Sequence, residues 1–173
     1  MAINCELLES IERDCSNALG GIAQKIYIND SENVDYESFV ELAGTITTMA
    51  LELTAPAFEV IEFRKNLATL TEEYANNPDG AVMFDQTLVI PVHGRDAAKS
   101  RKISVIAAGQ REVDLIVPQN DGGIVYLRQA VLTAVGDGTG AAKADGSKYT
   151  LTFTAQSETL ALFVAPAALA AVL

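Results

Sequence analysis

Residues 149–155 read YTLTFTA and form the most regular stretch of the chain. The apolar side chains of Tyr149, Leu151 and Phe153 alternate with threonines. Because successive side chains of a strand point to opposite faces of its sheet, this period of two predicts a strand with one face in the core. The stretch therefore predicts a β-sheet that carries threonines on the face away from its core.

Further stretches are rich in β-branched and aromatic residues, which predicts a mainly β chain. The predicted strands cover residues 22–28, 45–54, 58–63, 67–75, 81–92, 112–117, 124–128 and 130–135. Strong turn chemistry separates 67–75 from 81–92, in the run Asn76, Asn77, Pro78, Asp79 and Gly80. These two strands are therefore predicted to form a long antiparallel hairpin with an exposed tip. Residues 81–92 carry apolar side chains at both alternating sets of positions, which predicts cover on both faces.

Two segments have helical spacing. The first is an N-terminal helix over residues 1–20, in which Cys5 and Cys15 are too far apart for a disulfide and are predicted to be small core residues. The second is residues 95–108, which Gly109 ends. Its predicted apolar stripe is Ala98, Ile103, Ile106 and Ala107, and its basic stripe is Lys99, Arg101 and Lys102. The acidic residues 29–41 are predicted to form an exposed loop.

Length and composition indicate one soluble domain spanning residues 1–173. The 173 residues are 49% hydrophobic and 20% charged, and no apolar run is long enough to span a membrane. The net charge of −11 argues against binding to nucleic acid or to an anionic membrane. Acids dominate the first third, whereas residues 94–111 form a basic island, a division that favours ordered contacts between copies. The start of the chain has no secretion signal, which predicts synthesis in a cytoplasm.

Few residues are suited to catalysis. The glycine-rich residues 136–143 lack the spacing of a phosphate loop and precede a strand, so they are predicted to be a surface loop. His93 is interpreted as a turn histidine. Carboxylates that could act as acid and base are more typical of a solvated strand face, and these are Glu59, Glu62, Glu72 and Glu73. We therefore predict no enzyme, no catalytic residue, no cofactor and no metal site.

The tail at residues 158–173 has no charge after Glu158 and is strongly apolar. It is either a last strand of the chain's own sheet followed by an alanine-rich stub, or an arm that packs on a neighbouring copy. The candidate arm residues are Leu169, Val172 and Leu173.

The order of elements over residues 58–156 resembles that of the tail tube proteins of tailed bacteriophages. The resemblance rests on residues 58–73, 86–91 and 95–99, and on Gly138-Thr139-Gly140 leading into residues 149–154. It implies two packed antiparallel sheets in a sandwich or barrel-like core with a flanking helix. It also implies a virion structural protein that is assembled in the host cytoplasm and forms hexameric rings, which stack into a tail tube that conducts DNA during ejection.

The resemblance and the acidic charge together imply roles for particular residues. The predicted contacts between rings are Asn76, Asn77, Pro78, Asp79 and Gly80, together with the loop at 29–41. The candidates for an acidic lumen are Glu59, Glu62, Glu72 and Asp85. The implied partners are copies of the chain and other tail proteins, such as a terminator, baseplate or sheath, while DNA passes without specific binding and no membrane is involved. The alternatives are a capsid auxiliary or head-to-tail connector protein and a small hydrolase.

Overall fold

The computed structural model describes residues 20–76, 80, 82–139 and 146–173. These residues are mainly β. Their strands and helices, in chain order, are β1 (Lys25–Asp30), β2 (Val34–Leu42), β3 (Thr45–Leu51), β4 (Glu59–Glu62), β5 (Thr69–Asn76), β6 (Val82–His93), α1 (Ala97–Ala107), β7 (Glu112–Pro118), β8 (Ile124–Gly138), β9 (Lys148–Ser157), β10 (Leu162–Val164) and α2 (Pro166–Val172). The predicted helix at 1–20, including Cys5 and Cys15, lies outside the described residues except for Gly20.

The strands form one open, curled sheet that branches at β8. The main path runs β2-β3-β10-β8-β7-β1-β4, and the branch continues from β8 through β9 and β6 to β5. β8 has 15 residues and is roughly 50 Å long, so β10 and β9 fit one after the other along the same edge. The prediction of two separate packed sheets is therefore not confirmed, because β8 joins all the described strands. The prediction of purely antiparallel pairing is wrong for β10, which runs parallel to β3.

Strands β1, β7 and β8 separate two hydrophobic clusters. Side chains such as Ile26 and Leu115 point into the first cluster, whereas their neighbours Tyr27 and Ile116 point into the second. The first core cluster is completed by β6, β9 and α1, through Leu88, Ile90, Leu151, Phe153 and Ile103. The second core cluster is completed by β2, β3, β10 and α2, through Val34, Ile46, Met49, Val164, Ala168 and Val172. Because both faces of β7 are buried, its sequence is almost continuously apolar and does not alternate with polar residues.

The prediction of an exposed loop at residues 29–41 is wrong. This segment contains the end of β1, a short 3-10 helix at Ser31–Asn33, and most of β2. Val34, Tyr36 and Phe39 pack in or against the second core cluster. The pairing of β2 with β3 shifts register between Asp35 and Val40, so the apolar positions do not keep a period of two.

Two other strand boundaries differ from the prediction. Residues 124–128 and 130–135 belong to one strand, because β8 continues through Gln129, whose φ is 52°. β8 also includes Gly136 and Gly138, so the first part of the predicted glycine-rich loop is strand. At the other end of the chain, β1 begins at Lys25, and Ile22 forms an isolated bridge with Gln119.

Helix α1 lies mostly exposed on the first core cluster. Asp96 caps its N-terminus by accepting a hydrogen bond of 2.7 Å from the Lys99 backbone N–H, and Gly109 follows it with a φ of 71°. The predicted apolar stripe is correct for Ile103, which is buried, and for Ile106, which packs partly against the cluster. It is wrong for Ala98 and Ala107, which are exposed. None of the helices in the described ranges is both long and apolar enough to cross a bilayer.

The tail packs on its own chain. β10 joins the sheet between β3 and β8, and α2 buries Ala168 and Val172 in the second core cluster. The backbone oxygen of Val172 also accepts a hydrogen bond of 3.2 Å from the Phe58 N–H. Of the two alternatives for the tail, the strand followed by a stub is therefore the one observed. The arm prediction is corrected for Leu169 and Val172, which contact this cluster, while Leu173 is exposed.

Candidate functional site

The branch formed by β5, β6, β9 and the end of β8 has one face turned away from the first core cluster. Strand register aligns Thr71, Thr87 and Thr154 across this face, whereas Leu70, Leu88 and Phe153 line the opposite face. We call the outer surface the threonine face, because six partly or fully exposed threonines share it: Thr69, Thr71, Thr87, Thr150, Thr152 and Thr154. The prediction that 81–92 is covered on both sides is not met within this chain, because Thr87 and Val89 remain partly exposed.

The threonine face carries few charges, and most of them are negative. Glu73 and Asp85 lie opposite each other on β5 and β6 and are both exposed. Asp85 also accepts a hydrogen bond of 2.8 Å from the side-chain amide of Gln156 on β9. Among the described residues of this face, Lys148 is the one lysine or arginine. A phosphate backbone would therefore meet hydroxyls, two carboxylates and a single lysine here, and not a basic groove.

The four predicted lumen residues do not lie on one surface. Asp85 lies on the threonine face, whereas Glu72 pairs with Gln86 on the opposite, core-facing side of the hairpin. Glu59 and Glu62 belong to β4, which lies at the far end of the sheet path. They point to opposite faces of the sheet, because they are three positions apart on one strand. The residue that joins Asp85 on this face is Glu73, which was not among the predicted lumen residues.

Glu72 connects the hairpin to the segment between β9 and β10. Its Oε1 accepts a hydrogen bond of 3.1 Å from the side-chain amide of buried Gln86 and one of 2.7 Å from the backbone N–H of Ala161. Because a carboxylate that accepts two such bonds fixes both donors, Glu72 has a structural role that its exposed position does not reveal.

We expect Glu72→Lys to destabilise the fold by about 1–3 kcal/mol, because it leaves the Gln86 amide and the Ala161 N–H without their acceptor. Glu73→Lys is the matched control, since it makes the same change one residue away on the exposed threonine face. Urea unfolding of both variants measures the difference. Equal stability of the two variants would show that the Glu72 contacts contribute nothing.

The predicted hairpin is confirmed, with β5 and β6 paired from Thr69 opposite Val89 to Asn76 opposite Val82. At its tip the structure describes Asn76 and Gly80, and the φ of Gly80 is 82°. Asn77, Pro78 and Asp79 lie outside the described residues. The predicted role of this tip in contacts between rings stays a prediction.

The branch has two open edges. In the described part of the chain, β5 pairs with β6 alone, so its outer edge has no neighbour. On the other side, the pairing of β7 with β8 stops at Val131, and residues 132–138 have β9 as their one neighbour among the described strands. An exposed apolar side chain lies near each edge, Tyr74 on β5 and Val135 on β8. Unpaired edges of this kind are sites where another chain can add strands.

A buried carboxylate that was not predicted from the sequence holds β7, β8 and β2 together. Asp114 is completely buried, and four donors surround it. Its Oδ1 accepts from Ser31 Oγ at 2.8 Å and from the Gln129 backbone N–H at 2.7 Å. Its Oδ2 accepts from the hydroxyls of Tyr36 at 2.7 Å and Tyr126 at 2.5 Å. In the sequence, this site is indicated by the single acid, Asp114, within the otherwise apolar run VDLIV at residues 113–117.

The two tyrosines make the fold sensitive to alkali. Burial, followed by the neighbouring charge of Asp114, raises the pKa of Tyr126, and burial is also the main cause that raises the pKa of Tyr36. A pKa raised in the folded state means that stability is complete below the unfolded pKa of about 10 and falls as the pH rises beyond it.

We therefore expect the free energy of unfolding to fall steadily above about pH 10, together with the ultraviolet signal of tyrosinate formation. Tyr126→Phe should lower stability at pH 7, because it removes one of the two tyrosine hydroxyls that donate to Asp114. The same variant should lose less stability as the pH rises above about 10, because one fewer hydroxyl can ionise. Denaturant unfolding between pH 7 and 11 measures both. A variant whose alkaline slope equals that of the wild type would contradict this assignment.

The remaining residues that could take part in catalysis or metal binding do not lie together in the fold. The carboxylates proposed for a hydrolase are divided between β4 and β5, with Glu62 beside an open hollow of about 540 Å³ that also contacts Lys25 and Lys65. His93 is the last residue of β6 and not a turn residue, and its buried Nδ1 has no hydrogen-bond partner among the residues that the structure describes. Among the described residues, no three His, Cys, Asp or Glu side chains are grouped to hold a metal.

Comparison of the sequence with protein-family models and with curated proteins finds no match to either.

Proposed function

We propose that this chain is a tail tube subunit, a virion structural protein whose copies form rings, most simply hexamers, that stack into a tube for DNA. The observation that carries the proposal is the branch of the sheet, which combines a threonine face with open edges on both sides. The function is therefore assembly, and no active site is required for it.

Ring closure follows from pairing the two open edges. The outer edge of β5 in one copy adds to residues 132–138 of β8 in the next, so that each copy contributes four strands to a continuous barrel. This pairing would cover Tyr74 and Val135, which are exposed in the single chain. The sandwich or barrel-like core implied by the resemblance is then a property of the ring, because the single chain has an open sheet.

The chemistry of the threonine face suits the wall of a DNA channel. Hydroxyls stay hydrated, Glu73 and Asp85 repel phosphates, and the whole chain carries a net charge of −11. Because binding to DNA depends on basic groups that release counterions, such a wall holds DNA weakly and lets it pass. Stacking of rings and contacts with a terminator, baseplate or sheath would involve the hairpin tip around Asn76 and Gly80.

Sedimentation velocity of the purified chain over a wide range of concentration and salt, followed by negative-stain microscopy, tests this proposal. We expect rings or tubes with a central hole at high concentration. A protein that stays monomeric under all conditions would contradict it. Binding of that monomer to assembled capsid shells would instead support a capsid auxiliary or connector protein.

A further inference from the structure

Three large apolar side chains are exposed on one face of the strands β2, β3 and β10. The exposed fractions are 54% for Val40, 71% for Leu42 and 48% for Phe163. Strand register places Leu42 opposite Thr45 and Thr45 opposite Phe163, so these three side chains point to the same side of the sheet. Val40 lies two residues before Leu42 on β2 and points to that side as well. We call Val40, Leu42, Thr45 and Phe163 the outer apolar face.

The outer apolar face lies on the side of the sheet away from the second core cluster. The neighbouring side chains of Ile46 and Val164 point to the other side, into that cluster. Phe163 pairs with Val125, and Val125 pairs with Val117 of the first core cluster. Among the described residues, however, the first core cluster contains none from β2, β3 or β10, so it does not extend over the outer apolar face. Contiguous apolar surface that stays exposed in this way usually marks a contact site.

The described part of the chain begins beside this face. The backbone oxygen of Gly20 accepts a hydrogen bond of 3.2 Å from the side-chain amide of Asn120, in the turn between β7 and β8. The Phe163 ring lies against Gly123 of the same turn, since a Cβ on Gly123 would be 3.2 Å from Cε1 of Phe163. Residues 1–19 therefore join the described chain at the turn on which Phe163 packs.

Residues 1–19 lie outside the described residues, and their sequence has the pattern of an amphipathic helix. Its apolar stripe consists of Leu8, Ile11, Cys15 and Ala18. A helix from Leu8 to Gly20 is about 18 Å long at a rise of about 1.5 Å per residue. Four strand spacings separate β7 from β2, which is about 19 Å at about 4.8 Å each. The stripe is therefore long enough to reach from the turn to Leu42.

We propose that residues 1–19 dock as a helix on the outer apolar face of their own chain, with Cys15 near Phe163 and Leu8 near Leu42. Burial of Leu42 and Phe163 under the apolar stripe would stabilise this arrangement. The inference goes beyond the proposed function, because it concerns the single chain and does not depend on assembly into rings.

A second place for the segment is the open hollow that Asn120 lines together with Lys25 and Lys65. This hollow is less favoured, because its one large apolar lining residue, Phe63, is already buried within the described chain. It offers no exposed apolar surface comparable with Leu42 and Phe163, and an apolar stripe would gain little there.

Cross-linking through a native cysteine tests the docking. The chain has two cysteines, so Cys5→Ser leaves Cys15 as the single thiol. Thr45→Cys then adds a second thiol on the outer apolar face. Glu41→Cys is the matched control, because Glu41 pairs with buried Ile46 and points to the other side of β2. Each protein is treated with a short bismaleimide at a concentration where sedimentation velocity shows single chains, and the linked peptides are identified by mass spectrometry.

We expect Thr45→Cys to form the link to Cys15 within one chain at least about tenfold faster than Glu41→Cys, because docking raises the effective concentration of the two thiols. Equal rates for the two variants would overturn the docking. A product that joins Cys15 of one chain to Thr45→Cys of another would assign the face to the segment of a neighbouring copy, and would overturn docking within the chain.

The reactivity of the Cys15 thiol gives a second test in the Cys5→Ser background. Leu42→Asp should raise the rate at which Ellman's reagent labels Cys15 by about tenfold, because a charged outer apolar face releases the stripe that carries this thiol. Val60→Asp is the control, since Val60 is similarly exposed on the other end strand, β4, and it should change the rate by less than about twofold. Circular dichroism and the melting temperature show that both variants are folded. A folded Leu42→Asp variant with unchanged Cys15 labelling would overturn the docking.

Discussion

Asp114→Asn should lower the free energy of unfolding by about 3–5 kcal/mol, a large share of the stability of a domain of this size. The carboxylate accepts four hydrogen bonds, two on each oxygen. An amide replaces one of these oxygens by an N–H₂ group that would face two donors. Since Asp114 is completely buried, water cannot take over as an acceptor.

The matched control is Glu112→Gln, which makes the same kind of change two residues earlier on β7, at an exposed position. Chemical unfolding of both variants measures the effect, and Tyr126→Phe should give an intermediate loss of about 1–2 kcal/mol. If Asp114→Asn were as stable as Glu112→Gln, the four hydrogen bonds would not hold β2 and β8 to β7.

Val135→Lys should block ring closure while leaving the monomer folded. The Val135 side chain is 41% exposed in the single chain and lies on the part of β8 that lacks a second neighbour. In the proposed ring it is covered by β5 of the next copy, so a lysine there loses about 1–2 kcal/mol of apolar burial and must desolvate a charge. We expect the concentration for half assembly to rise about tenfold or more, with little change in melting temperature.

Val60→Lys is the control for this prediction, because Val60 is 47% exposed and also lies on an end strand, β4, which the proposed closure does not use. Its assembly should stay close to that of the wild type. Equal effects of the two lysines, or no effect of either, would place the contact between copies somewhere other than the end of β8.

The parts of the fold that the sequence predicted correctly have regular local patterns. β9 keeps a strict period of two because one of its faces lies in the first core cluster and the other is the threonine face. The hairpin of β5 and β6 was predictable because five turn-forming residues separate two apolar segments. In both cases the local pattern and the tertiary environment agree.

The missed features depend on long-range contacts. The acidic composition of residues 29–41 predicts a loop, and the strand within them is hidden because a register shift between Asp35 and Val40 breaks its alternation. The role of Asp114 needs Ser31, Tyr36 and Tyr126, which come from three other segments of the chain. The opposite orientations of Glu72 and Asp85 follow from the register of the hairpin, which the identity of the turn residues alone does not determine.

We propose that copies of this chain join through the open edges of the branch and turn their threonine faces toward a common channel. Cryo-electron microscopy of the assembled protein would show this arrangement. We expect a barrel in which β5 of each copy lies beside residues 132–138 of its neighbour, with Thr71, Thr87 and Thr154 on the channel wall. A chain that never assembles, or an assembly in which the threonine face is buried against other protein, would contradict it.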